Sequence, residues 1–143
     1  MKKKILISTG GSGGHVIPAL TIYDHLKNDY DVMISTDLRG SKYLDNDNCK
    51  TFLVDTPKLD KLILIPFSIL IIFFLTLKSL FLFKREKINI LISTGGYMSL
   101  PLCLAAKILK IKIFLLEPNM IIGRANKFFL NFCEKIICYD ANV

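Results

Sequence analysis

The sequence lacks the cysteine pairs and acidic clusters from which disulfide frameworks and metal centres are built. It contains four cysteines in 143 residues, and none forms a C-x-x-C motif. Cys103, Cys133 and Cys138 lie in apolar stretches, which favours buried thiols in a reducing compartment over disulfides or metal ligands. Asp45 and Asp47 lie in a polar, turn-like stretch away from any predicted strand end. We therefore expect neither a metal site nor a cofactor.

Features of a secreted protein, a disordered chain and a nucleic-acid-binding protein are also missing. The basic N-terminus is followed by an apolar run, residues 5–7, that is too short for a signal peptide, so a cytoplasmic location is expected. Apolar residues make up 52 % of the chain and charged residues 22 %, which excludes intrinsic disorder. Basic and aromatic residues are not interleaved, so no nucleic-acid partner is expected. Without repeats or linkers, residues 1–143 are predicted to form one domain.

The net charge of +7 comes entirely from the second part of the chain. Residues 1–60 carry eight basic and eight acidic residues, whereas residues 61–143 carry eleven basic and four acidic ones. A basic half that also contains a very apolar segment favours contact with an anionic membrane surface over nucleic acid. Ordinary solvated lysines are the alternative explanation.

Short apolar runs alternate with helical patterns, which is typical of a parallel sheet covered by helices on both faces. Six strands are predicted, at residues 5–8, 31–35, 51–54, 88–93, 112–116 and 135–138. A polar connection is predicted over residues 36–50, and helices near residues 18–27, 101–109 and 123–132. The fold class predicted from this pattern is α/β, with a Rossmann-like parallel sheet of about six strands.

Residues 62–83 are long and apolar enough for a transmembrane helix. A single span would place the first three predicted strands and the last three on opposite sides of the membrane, and the sheet could not form. We therefore predict a crossover helix with one face on the sheet and the other in lipid. A wholly buried helix and a true span are the alternatives. The residues expected at the membrane are Phe67, Phe73, Phe74, Lys78, Lys84 and Arg85.

A glycine-rich loop connects the first predicted strand to the first predicted helix. Four glycines occupy five positions, at Gly10, Gly11, Gly13 and Gly14. Such a loop presents unpaired N–H groups at a helix N-terminus and is suited to binding a phosphate; a tight turn that binds nothing is the alternative. The Lys-Ser/Thr of a P-loop is missing. A dinucleotide fingerprint would place its third glycine on Val16, although Asp37 could imitate the ribose-binding acid of that fold.

Three motifs resemble those of the MurG family, bacterial transferases that add N-acetylglucosamine (GlcNAc) to lipid I. Residues 10–20, Gly-Gly-Ser-Gly-Gly-His-Val-Ile-Pro-Ala-Leu, are similar to its first glycine loop. Residues 94–101, Thr-Gly-Gly-Tyr-Met-Ser-Leu-Pro, are similar to its second. Glu117-Pro118-Asn119, continuing through Gly123 to Asn126-Lys127, resembles its Glu-x-Asn motif, with Pro118 in place of the usual polar residue. The resemblance covers essentially the whole chain.

The resemblance implies the N-terminal, acceptor-binding half of a GT-B glycosyltransferase. The donor would be UDP-GlcNAc and the acceptor lipid I, an undecaprenyl-diphosphate-linked muramyl pentapeptide. The location implied is peripheral, on the cytoplasmic face of the inner membrane. A C-terminal donor domain is not part of the chain, so the chain is expected to be a fragment or one subunit of a split transferase. A non-catalytic nucleotide- or dinucleotide-binding module is the alternative from another functional class.

Candidate site residues follow partly from their chemistry. His15, after the first glycine loop, is suited to general base catalysis near neutral pH; a structural hydrogen bond to the backbone is the alternative. Glu117 ends an apolar predicted strand and is suited either to base catalysis or to orienting a hydroxyl. Asn119 offers a donor and an acceptor to sugar hydroxyls.

The two glycine loops are expected to hold diphosphates without a metal. Because ligands bind at the carboxyl ends of parallel strands, both loops should face one crevice. The residues expected to bind the acceptor and its diphosphate are Gly10, Gly11, Gly95, Gly96 and Tyr97, although Tyr97 is also suited to packing. The resemblance implies that the donor is contacted by Ser12, Gly13, Gly14 and Asn119.

Overall fold

The computed structural model describes residues 2–44, 49–56, 65–119 and 121–138, with the side chains of residues 65 and 66 left aside. The strands are β1 (Lys4–Ser8), β2 (Asp31–Thr36), β3 (Lys50–Leu53), β4 (Ile90–Ser93), β5 (Lys112–Glu117) and β6 (Lys135–Cys138). The helices are α1 (Gly13–Leu26), α2 (Ile65–Glu86), α3 (Ser99–Ile108) and α4 (Arg124–Phe129), with 3-10 turns at Gly40–Tyr43 and Leu130–Phe132.

All six strands are parallel and lie in the order β3-β2-β1-β4-β5-β6. The chain first builds outward from β1 to β3, then crosses back through α2 and builds outward from β4 to β6. The order therefore reverses between β1 and β4, and the loops that follow these strands diverge from a shared crevice. This is the place where open α/β sheets bind ligands.

Helices cover both faces of the sheet, as the strand pattern predicts. On one face, Val16 and Ala19 of α1 pack with Ile5, Ile7 and Ile34. The other face carries the larger core, where α2, α3 and α4 pack against the central strands. Its buried residues include Leu6, Leu82, Phe83, Leu91, Leu102, Cys103, Ile113, Leu115 and Phe129. The alternation of the two sets along each strand is what a sheet buried on both faces requires.

Several element boundaries differ from the sequence prediction. Helix α1 begins at Gly13 rather than near residue 18, so Gly13 and Gly14 belong to its first turn. Strand β4 begins at Ile90 rather than 88, because Lys87 takes a positive φ of 56° and the N–H of Ile88 donates to Phe83 to close α2. The helix predicted over residues 123–132 is α4 followed by a 3-10 turn, and another 3-10 turn occupies part of the polar connection. Residues 62–64, 45 and 47 lie outside the described residues.

Helix α2 buries three small polar residues and exposes several of its large apolar ones. Ser68, Thr76 and Ser79 are buried, and the hydroxyls of Thr76 and Ser79 donate to carbonyls one turn back in α2. Phe67, Phe73 and Phe74 are each more than half exposed. By length and composition alone, α2 could cross a membrane. However, β1, which precedes α2, pairs with β4, which follows it, so the two parts of the chain share one sheet.

Candidate functional site

A buried layer of hydroxyl groups, here called the hydroxyl floor, lies at the carboxyl ends of β1, β2 and β4. The tripeptide Ile-Ser-Thr occurs three times, at residues 7–9, 34–36 and 92–94. Because β2, β1 and β4 are neighbours, Ser8 lies opposite both Ser35 and Ser93. All six of these serines and threonines are buried. This layer is not among the predicted features, although the repeated tripeptide at three strand ends is a signal for it.

The two glycine loops lie in contact above this floor. A Cβ atom on Gly10 would lie 2.5 Å from Cγ of Met98, and a Cβ on Gly96 would lie 3.6 Å from the carbonyl oxygen of Gly10. Gly11, Gly95 and Gly96 have positive φ angles of 83°, 91° and 88°, which side chains disfavour. The glycines are thus required both by backbone conformation and by the close approach of the loops.

His15 joins the two loops through a hydrogen bond that determines the tautomer of its imidazole ring. Its Nδ1 lies 2.6 Å from the carbonyl oxygen of Thr94. Because a carbonyl only accepts, Nδ1 must carry the proton, and the neutral ring presents an unprotonated Nε2. The ring also lies beside the second loop, with Cε1 3.5 Å from the position of a Cβ on Gly95. The imidazole is therefore both a structural link and a fixed proton acceptor.

Two clefts meet at His15. The first, of about 280 Å³, is lined by Gly10, Gly11, Ser12, His15, Asp37, Arg39, Thr56, Gly96, Tyr97 and Met98. The second, of about 170 Å³, is lined by His15, Gly95, Gly96, Tyr97, Glu117, Asn119, Gly123, Arg124 and Ala125. His15, Gly96 and Tyr97 line both clefts. The residues predicted for acceptor binding thus lie mainly around the first cleft, and Asn119 lines the second.

Glu117 is enclosed by donors from the loop that follows it and from α4. Its side chain is 1 % exposed. Oε1 accepts from the backbone N–H and the side-chain amide of Asn119, at 3.2 and 2.9 Å. Oε2 accepts from the N–H of Gly123 at 2.7 Å and from the amide of Asn126 at 3.1 Å. With both oxygens occupied, the carboxylate fastens the loop after β5 to the start of α4, and the amide oxygen of Asn119 is left for a ligand.

Asp37 organises the first glycine loop from the end of β2. Oδ1 accepts from the N–H groups of Gly11 and Gly40, and Oδ2 accepts from the guanidinium of Arg39. Burial raises the pKa of the Asp37 carboxyl, but donation by Gly40, Gly11 and Arg39 outweighs it and holds the pKa below its ordinary value. With both oxygens occupied, Asp37 is not free to bind a ribose as a dinucleotide-binding acid does.

We expect Asp37→Asn to remove a pH-dependent part of the stability. Because the pKa of Asp37 is lower in the folded chain, the stabilisation is fully present above the unfolded value of about 4 and is lost as the pH falls through the folded value. In urea unfolding, the variant should have a lower free energy of unfolding than the parent at neutral pH, and this deficit should shrink in acid. The control, Asp29→Asn, alters an exposed aspartate and should show no such deficit. A deficit for Asp37→Asn that does not change with pH would contradict the assignment.

The cysteines and metal-binding residue types add no second reactive centre to the described part of the chain. Burial raises the pKa of the Cys103 thiol to about 12, which keeps it protonated and unreactive. Within residues 2–44, 49–56, 65–119 and 121–138, no three His, Cys, Asp or Glu side chains are grouped so as to hold a metal ion. The chemistry available in the crevice is therefore that of His15, the glycine-loop N–H groups and the lining polar side chains.

Comparison with known proteins relates this crevice to glycosyltransferases. The sequence model of the Glycosyltransferase family 28 N-terminal domain matches residues 5–138. The chain is 57 % identical over 145 residues to the UDP-N-acetylglucosamine--N-acetylmuramyl-(pentapeptide) pyrophosphoryl-undecaprenol N-acetylglucosamine transferase of Pelagibacter ubique, covering 100 % of this chain and 40 % of that relative. It is 38 % identical over 141 residues to the transferase of the same name from Rickettsia typhi, covering 96 % of this chain and 36 % of the relative.

Solved structures share the fold. The crystal structure of Acinetobacter baumannii MurG superposes with a TM-score of 0.85 at 23 % identity, over 99 % of this chain and 43 % of that one. UDP-GlcNAc 2-epimerase from Methanocaldococcus jannaschii superposes with a TM-score of 0.67 at 14 % identity, over 94 % of this chain and 39 % of that one. The chain spans about two fifths of the length of these relatives.

Proposed function

The chain belongs to glycosyltransferase family 28, whose N-terminal domain matches it over residues 5–138, and from this premise we propose that it supplies the acceptor-binding half of an N-acetylglucosaminyltransferase. The proposed reaction transfers GlcNAc from UDP-GlcNAc to lipid I and inverts the anomeric centre. The name of the relative that is 57 % identical contains both this sugar and this class of acceptor. Most of the nucleotide site is assigned to the part of such enzymes that this chain does not match.

The position of His15 between two clefts is the observation that carries the proposal. In the proposed mechanism, the acceptor hydroxyl lies against Nε2 while its diphosphate lies in the first cleft. Thr94 fixes the ring through Nδ1, so the orientation of Nε2 is set before the substrates bind. As the hydroxyl oxygen attacks the anomeric carbon, Nε2 accepts its proton. Glu117 acts as a positioning residue that holds Asn119 at the second cleft.

The leaving diphosphate is assigned to the N-terminus of α1. None of the described residues accepts a hydrogen bond from the N–H groups of Gly13 and Gly14, which lie in the first turn of a 14-residue helix. Unpaired N–H groups and the positive end of the helix dipole favour negative charge at this position. As UDP departs, charge accumulates on its diphosphate, so these groups stabilise the transition state more than the ground state.

Transfer by a chimera tests the proposal. The chimera joins residues 1–143 to the part of the Pelagibacter ubique transferase that follows its matching segment, which is 57 % identical to this chain over 145 residues. It should transfer GlcNAc from UDP-GlcNAc to a lipid I analogue, and should not turn over NADH or ATP. A folded chimera that binds UDP-GlcNAc and the analogue but forms no product would contradict the proposed function.

The outer face of α2 is proposed to dock on the membrane. Phe67, Phe73 and Phe74 are exposed on a helix whose serine and threonine side chains are buried. Beside them, a groove of about 420 Å³ is lined by Phe52, Leu77, Lys78, Phe81, Leu82 and Arg85. Apolar side chains flanked by exposed lysine and arginine suit the boundary between acyl chains and anionic headgroups. An acceptor with a long lipid tail also requires its enzyme to work at that boundary.

We expect the chain to sediment with vesicles rich in phosphatidylglycerol and to be partly released by high salt. Each Lys or Arg at the surface contributes roughly 1 kcal/mol, which salt weakens, whereas apolar insertion persists. Replacing both Phe73 and Phe74 by serine should lower vesicle affinity by about 100-fold or more, because each phenylalanine buried in lipid contributes roughly 1.5–3 kcal/mol.

The matched control is Ile137→Ser, which removes an exposed apolar residue from the α1 side of the sheet and should leave vesicle affinity unchanged. Equal binding by the Phe73/Phe74 double variant and the parent would contradict docking through α2. A transmembrane span would give a different result. Salt and carbonate would not extract the chain, and only one of two tags, on Met1 and on Val143, would be protected from protease in sealed vesicles.

A further inference from the structure

We propose that Arg39 is a diphosphate-binding residue of the first cleft, a role that none of the glycine motifs predicts. The inference rests on the proposed function only for the identity of the molecule that carries the diphosphate. Its basis is the juxtaposition of a fixed guanidinium, unpaired backbone donors and an unpaired hydroxyl in one cleft.

The guanidinium of Arg39 is held in place along one edge. Nε and Nη2 donate to Oδ2 of Asp37 at 3.2 and 2.9 Å. Asp37 is itself buried and anchored by the N–H groups of Gly11 and Gly40, at 3.1 and 2.7 Å. A guanidinium has five N–H donors in a fixed plane, and in the described part of the chain Arg39 donates to Asp37 alone. The free donors are therefore pre-oriented, which lowers the entropic cost of binding an anion.

The Arg39 side chain lines the cleft and lies against the first glycine loop. Nη2 is 3.2 Å from the position of a Cβ on Gly11, and the side chain is 58 % exposed although its partner Asp37 is only 7 % exposed. A residue that served only to neutralise Asp37 would not need this position. A planar fork of N–H groups matches phosphate oxygens in a bidentate manner.

Other unpaired polar groups surround the same space. The hydroxyl of Thr56, which lines the cleft, is buried without a hydrogen-bond partner in the structure as described. The N–H groups of Gly10, Ser12 and Gly96 likewise meet no acceptor among the described backbone and side-chain atoms. The cleft therefore contains N–H groups from two loops, one hydroxyl and one guanidinium. Together these donors can bind more oxygens than a single phosphate presents. A diphosphate is thus the chemical class that uses them best, as part of a lipid diphosphate or of a nucleotide.

Affinity measurements on the 143-residue chain test the assignment. The probes are farnesyl diphosphate, farnesyl monophosphate and UDP, titrated by calorimetry against the parent, Arg39→Gln and Arg39→Lys. We expect Arg39→Gln to weaken farnesyl diphosphate binding by about 10- to 100-fold, the range for losing a charge-assisted hydrogen bond. Arg39→Lys keeps the charge beside Asp37 but lacks the fork, and should restore only part of the affinity. The monophosphate should bind weakly to all three.

The matched control is Lys42→Gln, which changes the net charge equally on the neighbouring 3-10 turn and should leave the affinity within about two-fold of the parent. Parent-like affinity of Arg39→Lys and Arg39→Gln for both farnesyl diphosphate and UDP would overturn the proposal. If Arg39→Gln does not fold, Arg39→Lys alone decides. An effect on farnesyl diphosphate assigns the lipid diphosphate, and an effect on UDP alone assigns the nucleotide.

The chimera separates this inference from the proposed function. If the chimera transfers GlcNAc and Arg39→Gln leaves the KM for the lipid I analogue and for UDP-GlcNAc unchanged, the Arg39 inference fails and the proposed function stands. If the chimera transfers nothing while diphosphate binding to the chain depends on Arg39, the proposed function fails and the inference stands.

Discussion

Replacing His15 by alanine in the chimera is expected to lower kcat by about 10²- to 10⁴-fold, the usual contribution of a general base. The KM for UDP-GlcNAc should change little, because the donor is assigned to the N-terminus of α1, to Asn119 and to the Pelagibacter ubique part of the chimera. The reason is geometric: the hydrogen bond from Nδ1 to Thr94 leaves Nε2 as the acceptor on a ring that lines both clefts. Initial rates at saturating concentrations of both substrates measure the effect.

Two further variants separate catalysis from structure. His15→Asn keeps an N–H donor for the Thr94 carbonyl but has no base, so it should fold like the parent and lose as much activity as His15→Ala. His25→Ala removes the exposed histidine on the same helix and should leave kcat unchanged. A kcat within about three-fold of the parent for a folded His15→Ala would remove His15 from the role of base, since a base contributes at least about 10².

Glu117→Gln is expected to lower the free energy of unfolding by about 2 kcal/mol or more, because each buried donor left without an acceptor costs roughly 1–3 kcal/mol. The carboxylate accepts four hydrogen bonds. In a glutamine, an NH₂ group replaces one of the two oxygens, so two of the four N–H donors would face another donor. The loop after β5 should then separate from α4, and Asn119 should lose its place at the second cleft. Urea unfolding measures the first effect, and the KM for UDP-GlcNAc measures the second.

Glu134→Gln changes an exposed glutamate immediately before β6; it is the matched control and should change neither quantity. If Glu117 were the base, Glu117→Gln would lose kcat without losing stability, and His15→Ala would have the milder effect. That ranking would contradict the positioning role derived from the four donors.

The glycine loops and the strands could be predicted from the sequence because their signals are local. Continuous apolar runs place β1 and β5 within one residue of their observed bounds, and the three motifs predict the family that the domain match confirms. The start of α1 was predicted five residues late because glycine has a low helix propensity. In the structure, the N–H groups of His15 and Val16 donate to Ser12 and close the first turn through the glycines.

The side-chain networks of the site could not be predicted because they depend on contacts between distant loops. Asp37 is 26 residues from Gly11, and His15 is 79 residues from Thr94. Nothing in the local sequence marks these pairs. Arg39 is held in place by its hydrogen bonds to Asp37. Its position in the cleft depends on the pairing of β1 with β2, which the local sequence does not show. The repeated Ile-Ser-Thr was available in the sequence and would have predicted the hydroxyl floor.

The location of the bound acceptor tests the central claim most directly. Amide spectra of the ¹⁵N-labelled 143-residue chain, titrated with a short-chain lipid I analogue in detergent, would map the binding site residue by residue. We expect the largest shifts at Gly10, Gly11, Gly96 and Tyr97, which line the first cleft, and at the neighbouring Gly95. Shifts confined to Ile22, Ile92 and Phe114, which line the apolar pocket beneath α1, or no shifts at saturating analogue, would contradict it.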